Sequence, residues 1–106
     1  MNRLIIIASL LLLVAFDGWA YNETDLGRIR SLNECEDCDL SGVNLREANL
    51  EDANLREADL RGANLSFANL SGVNLTTSKL KKAKLDGAKY CKTKMPWGEL
   101  NDHCED

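Results

Sequence analysis

Large apolar, small apolar and polar positions recur along this chain with a period of five. From Cys38 to Lys92 the sequence divides without a gap into CDLSG, VNLRE, ANLED, ANLRE, ADLRG, ANLSF, ANLSG, VNLTT, SKLKK, AKLDG and AKYCK. The third place is always large and apolar, Leu in ten units and Tyr90 in the last. The first place is Ala seven times, Val twice, and Cys38 and Ser78 once each. The second is Asn six times, Asp twice and Lys three times. So long a tandem match is a repeat, and a repeat decides the architecture before any local propensity does.

Neither an α-helix nor a straight strand can use this pattern. On a helix, successive Leu residues would fall about 140° apart and no face would collect them. On a strand, a five-residue step is odd and sends alternate Leu residues to opposite faces. A short extended step followed by a corner keeps the first and third places pointing at one axis. Asn, Asp, Gly and Ser in the outer places suit such corners. The predicted fold is therefore an all-β solenoid of bent strands, each coil pairing with the coils above and below.

The flanks read differently. Arg3, the run Leu4–Phe16 and the small residues of Gly18-Trp19-Ala20 predict a signal peptide over residues 1–20, cleaved after Ala20. As a helix that run rises only about 20 Å, short of a hydrocarbon core of about 30 Å, so no stable membrane span is expected after cleavage. The expected location is exported: periplasmic or secreted, or the thylakoid lumen of a cyanobacterial host. Residues 21–37 are expected to cap the first coil, with Leu26, Ile29 and Leu32 on a short helix and Thr24 as its N-cap. Pro96, Gly98 and Asn101 mark residues 93–106 as a turn-rich tail.

Units such as Ala48-Asn49-Leu50 and Ala58-Asp59-Leu60 resemble the A-(D/N)-L-x-x signature of the pentapeptide-repeat family, over residues 38–92. The flanks Cys35-x-x-Cys38-Asp39-Leu40-Ser41-Gly42 and Tyr90-Cys91-x-Thr93-x-Met95-Pro96-x-Gly98, with a final Cys104, are similar to the ends of exported bacterial members. The resemblance implies a right-handed, four-sided (quadrilateral) β-helix with four units per coil. Lys79, Lys84 and Lys89 depart from the Asn/Asp place. At four units per coil, eleven units make about two and three-quarter coils, a rod about 13 Å tall.

Four cysteines in a small exported chain suggest two disulfides, and four cysteines can pair in three ways. At four units per coil, Cys38 and Cys91 lie about 12 Å apart along the axis, too far for one bond. Cys35–Cys38 and Cys91–Cys104 is the favoured pairing. Two rival readings are weaker: a redox-active Cys35-x-x-Cys38, which lacks a βαβ context, and a zinc site from Cys35, Cys38, His103 and Cys104, whose sulfurs lie at opposite ends of the rod.

The net charge of −4 conceals an asymmetry: residues 21–62 balance at −6 and residues 79–94 at +6. Lys79, Lys81, Lys82, Lys84, Lys89 and Lys92 have two readings. Lysines protect an open strand edge, the favoured reading, or form a basic contact patch for an anionic partner or membrane surface. Phe67 is an aromatic at an outward place. A single His and a core of Leu and Ala give no support for catalysis, a cofactor or a metal. The expected function is a non-enzymatic structural or protein-interaction module with an unknown protein partner, or self-association through the solenoid ends. A DNA-mimic inhibitor of a DNA-binding enzyme is the alternative, and redox work at Cys35/Cys38 a lesser one. No nucleic acid is expected as a partner.

Overall fold

Backbone hydrogen bonds define the coil. In the computed structural model, which describes residues 21–102 and 104, third-place N–H groups donate to second-place carbonyls one coil on, as Leu40 to Asp59 and Leu60 to Lys79, both 2.8 Å. Second-place N–H groups donate to first-place carbonyls one coil back, as Asp59 to Cys38 at 2.8 Å and Lys79 to Ala58 at 3.0 Å. Second-place residues therefore stand opposite one another in parallel bridges at twenty-residue spacing, from Glu34↔Asn54 to Asn74↔Lys94. One coil consumes four units.

Each side offers only two or three extended residues before the next corner, so each contact is a single bridge. The expected bent strands are thus too short to count as regular strands. Among the described residues the regular ones are β1 (Thr93–Met95) and β2 (Gly98–Leu100), an antiparallel hairpin pairing Thr93 with Leu100 and Met95 with Gly98. The signal-peptide expectation lies outside the described residues.

The core is a stack of Leu over Leu. Third-place Leu40, Leu55, Leu60, Leu65, Leu70 and Leu75 are fully buried, with Ala58, Ala63, Ala68 and Val73 closing the gaps between them. Leu80, Leu85 and Tyr90, with no further full coil above, are only partly buried. The five-residue frame also runs past both expected boundaries. Cys35 and Met95, at third places of the units 33–37 and 93–97, are buried in the same core, and Glu34 and Lys94 bridge into the ladder. The cap and tail expected over 21–37 and 93–106 each surrender one unit to the solenoid.

The cap proper is α1 (Glu23–Leu32). Its N-cap is Asn22, whose side chain accepts the Asp25 N–H at 3.0 Å, and not Thr24, which lies inside the first turn. Ile29 is buried against the first coil while Leu32 is 69% exposed. Three-residue spacing drifts about 60° per step on a helix, so only the middle of Leu26, Ile29 and Leu32 can point squarely at the core. Asn33 closes the helix in the left-handed region, its N–H on Ile29 O at 3.2 Å, and its carbonyl accepts the Asn54 N–H at 3.0 Å. No helix among the described residues is long and apolar enough to cross a membrane.

Candidate interaction surface

The outward residues are held as firmly as the inward ones. Each second-place Asn or Asp turns its side chain back onto the fourth-place N–H, as Asn44 Oδ1 to Arg46 N and Asn54 Oδ1 to Arg56 N, both 3.1 Å. The following first-place N–H closes the turn on the third-place carbonyl, as Ala53 on Leu50 at 2.9 Å. Fifth-place residues take positive φ, including Glu47 (62°), Glu57 (58°) and Phe67 (60°), which marks type II corners. Between 38 and 92 Thr77 is the exception. A β-branched residue resists that conformation, and its hydroxyl instead accepts the Glu57 N–H at 3.0 Å. Lys79, Lys84 and Lys89 carry no side-chain acceptor, so this corner bond is lost in the last coil.

Residues twenty apart form columns down the outside. In one, the Phe67 ring lies against Gly87, where an added Cβ would come within 2.5 Å of Phe67 Cε1, and the Arg46 guanidinium of the neighbouring column stacks on the same ring at 4.6 Å. Phe67 is therefore half occupied within its own chain, although 53% exposed. Within a single corner, Asp59 holds Arg61 through two side-chain bonds, Nε to Oδ1 at 2.8 Å and NH2 to Oδ2 at 2.6 Å. The Arg61 hydrogen bonds hold the Asp59 carboxyl below its ordinary value against the opposing effect of burial.

Charge is segregated along the axis. Residues 33–57 carry Glu34, Glu36, Asp37, Asp39, Glu47, Glu51, Asp52 and Glu57 against Arg46 and Arg56. The middle coil holds only Asp59 and Arg61. Residues 78–97 carry seven Lys against Asp86. The structure gathers Lys79, Lys81, Lys82, Lys84, Lys89 and Lys92 into a ring around the last coil, all exposed. Exposed Trp97 sits with Pro96 on the turn of the β1–β2 hairpin at the same end. Sequence reasoning passed over Trp97, because its place emerges only once 93–100 is read as a hairpin. Tyr90 leans across the end of the core, its hydroxyl donating to Leu85 O at 3.2 Å. Burial, with Asp102 and Asp86 nearby, pushes that phenol above its ordinary value.

Cys35 is joined to Cys38 and Cys91 to Cys104. The first pair lies at adjacent inward places across a corner, both residues buried. The second ties the tail to an outward place of the last full unit. All four sulfurs are taken up in these two pairs, which removes the thiolates that the zinc reading needs. His103 lies outside the described residues, and among those described no cluster of His, Cys, Asp or Glu could hold a metal ion.

A family model for pentapeptide repeats matches residues 38–76 and 58–89 in eight copies. The chain belongs to the pentapeptide-repeat family. With membership comes the right-handed β-helix. Among solved structures the pentapeptide-repeat chain is similar to a pentapeptide repeat protein (Rfr23) from the cyanobacterium Cyanothece 51142, at 38% identity and TM-score 0.47. That match covers 58% of this chain and 40% of the other, so this chain spans well under half of that relative's length. No curated protein matches.

Proposed function

We propose that this pentapeptide-repeat protein is exported and works as a non-enzymatic, four-sided binding rod, structural or protein-interacting in role. The observation that carries the reading is the pinning of polar side chains at the corners. Asn and Asp at 39, 44, 49, 54, 59, 64, 69 and 74 spend their acceptors on the backbone of the same corner. A backbone so fixed presents fourth- and fifth-place side chains at regular spacing with little backbone entropy left to lose on docking. The twenty-residue ladder supports the four-sided outline, since each coil has four corners.

Export is supported by the leader-like residues 1–20 and by two disulfides, which persist in oxidising compartments. The DNA-mimic alternative is weaker. A mimic needs acid along its whole length, and here the sign reverses between the first and last coils. Redox work at Cys35 and Cys38 is weaker too, because both sulfurs are shut inside the core.

Fractionation of the native host with intact-mass analysis tests this reading. The expected chain begins at Tyr21, lies outside the cytoplasm and lacks two hydrogens for each of the two disulfides. Full-length reduced protein in the cytosol would overturn export and restore the mimic reading.

A further inference from the structure

The charges at the two ends of the rod are matched column by column. Four columns carry a charge in both the first and the last coil. They end in Glu34 and Lys94, Asp39 and Lys79, Arg46 and Asp86, and Asp52 and Lys92. All four are opposite in sign. The third is the telling one: Asp86 is the single acid of residues 78–97, and it stands in the column that begins with Arg46, one of only two bases in residues 33–57. A general rule that one end is acidic and the other basic would not invert both signs together.

Both ends also leave ladder groups open. At the N-terminal end, α1 caps the side of Asp39, where Asn22 N–H donates to Asp39 O at 2.9 Å and Asp25 Oδ2 accepts the Asp39 N–H at 2.9 Å. Of the adjoining units, 48–52 takes a single bond from the cap, Asn33 Nδ2 to Glu51 O at 3.2 Å, while 43–47 takes none and borders a groove lined by Ile29 and Asn33 from the cap side and by Leu45 and Leu50. At the C-terminal end the β1–β2 hairpin covers the side of Lys94, and the Lys92 N–H is taken by Asn101 Oδ1 at 2.8 Å. Among the described residues no cap hydrogen-bonds to units 43–47 or 83–87, so the side that carries Arg46 and Asp86 keeps its ladder groups open at both ends, with the Arg46 guanidinium resting on its own Phe67 ring.

We infer that a second copy of this chain docks head to tail, the lysine-ringed end of one rod on the acidic end of the next, with Asp86 of one facing Arg46 of the other. The inference names the partner within the non-enzymatic binding reading and rests on it. The lysines then have a double effect. They repel a second lysine end, which blocks symmetric pairing, and attract the acidic end. Because the two surfaces differ, the contact is heterologous and does not close at two copies. α1 stands between the coils at the junction, so the contact is a charge-paired one and not a continued ladder. It should weaken strongly with salt.

The test is sedimentation velocity on the full chain over a concentration series, at about 20 mM and about 500 mM salt, which bracket strong and weak screening. Self-association that grows beyond a dimer at low salt and disappears at high salt is expected. Asp86→Arg and Arg46→Asp should each reduce it at least tenfold, and the two together should restore it. Thermal melts confirm that these exposed substitutions leave the fold intact. A chain monomeric at low salt overturns the inference, as does a contact that saturates at two copies. Association indifferent to salt and to Asp86→Arg also overturns it, since the contact then does not run through the charged ends. Each of these results leaves the reading of an exported rod untouched, which the fractionation experiment judges separately.

Discussion

Asp25 accepts the Asp39 N–H through Oδ2 at 2.9 Å, in the place that a first-place carbonyl fills one coil further on, where Asp59 N–H meets Cys38 O. A side chain thus stands in for a missing coil. Asp25→Ala should cost about 1–3 kcal/mol in urea unfolding, because it strips an acceptor from a partly buried N–H. Asp25→Asn keeps an acceptor and should retain most of that. Equal losses from both would mean that the bond does not matter.

The middle of the stack should be the least forgiving. Leu60 is fully buried with Leu40 below and Leu80 above in its column, and Leu60→Ala should cost roughly 2–5 kcal/mol. Leu60→Arg should not fold, since the charge would be buried unpaired. Glu57, exposed and held at φ 58°, behaves in the opposite way. Glu57→Gly should raise stability by about 0.5–1 kcal/mol by relieving the left-handed corner. Denaturant midpoints report Leu60→Ala and Glu57→Gly, and circular dichroism reports whether Leu60→Arg folds.

The two disulfides should differ in effect. Cys35–Cys38 closes a separation of 3 residues and Cys91–Cys104 one of 13, so the second restrains the unfolded chain more and contributes about 3 kcal/mol. Partial reduction should abolish hydrogen-exchange protection in Gly98–Leu100 before it touches the coils around Leu65. Chelator should change nothing. Simultaneous loss of protection everywhere would show that the hairpin and coils unfold as one unit.

Asp59 sets a pH dependence of known sign. Its folded-state value is depressed by the Arg61 hydrogen bonds, so it adds stability above the unfolded value of about 3.9 that is lost as pH falls through the depressed one. Asp59→Asn preserves the corner acceptor but not the charge. The variant should be less stable than the parent at pH 7, and the two curves should converge below about pH 4. Curves that stay parallel would remove Arg61 as the cause.

The repeat was legible because every third place from 40 to 90 is large and apolar, a signal that needs no knowledge of neighbours. The terminal units were not. Asn33-Glu34-Cys35 and Thr93-Lys94-Met95 keep the frame, but Cys and Met replace Leu, and Pro96 with Gly98 looks like a turn. Only the bridges to Asn54 and Asn74 identify them. The helix start was misplaced by two residues because Asn22 and Thr24 are both good caps, and the choice fell to Asn22, whose own N–H is held on Asp39 O. Buried hydroxyls were hidden for a similar reason. Ser78 and Thr93 replace Ala at inward places, and each donates to a core-side carbonyl, Leu55 O at 2.6 Å and Leu70 O at 2.8 Å. The charge ring was visible as a Lys-rich stretch, whereas its column matching needs the coil length.

That coil length is the claim on which the rest depends, and scalar couplings across hydrogen bonds measure it directly. The Leu60 amide should couple to the Lys79 carbonyl carbon, and the Asn64 amide to the Val43 carbonyl carbon. Both partners lie on neighbouring coils only if twenty residues make one turn. Couplings from these amides to carbonyls about fifteen residues away instead would mean three units per coil at the spacing of paired strands, and would contradict the architecture along with every column drawn from it.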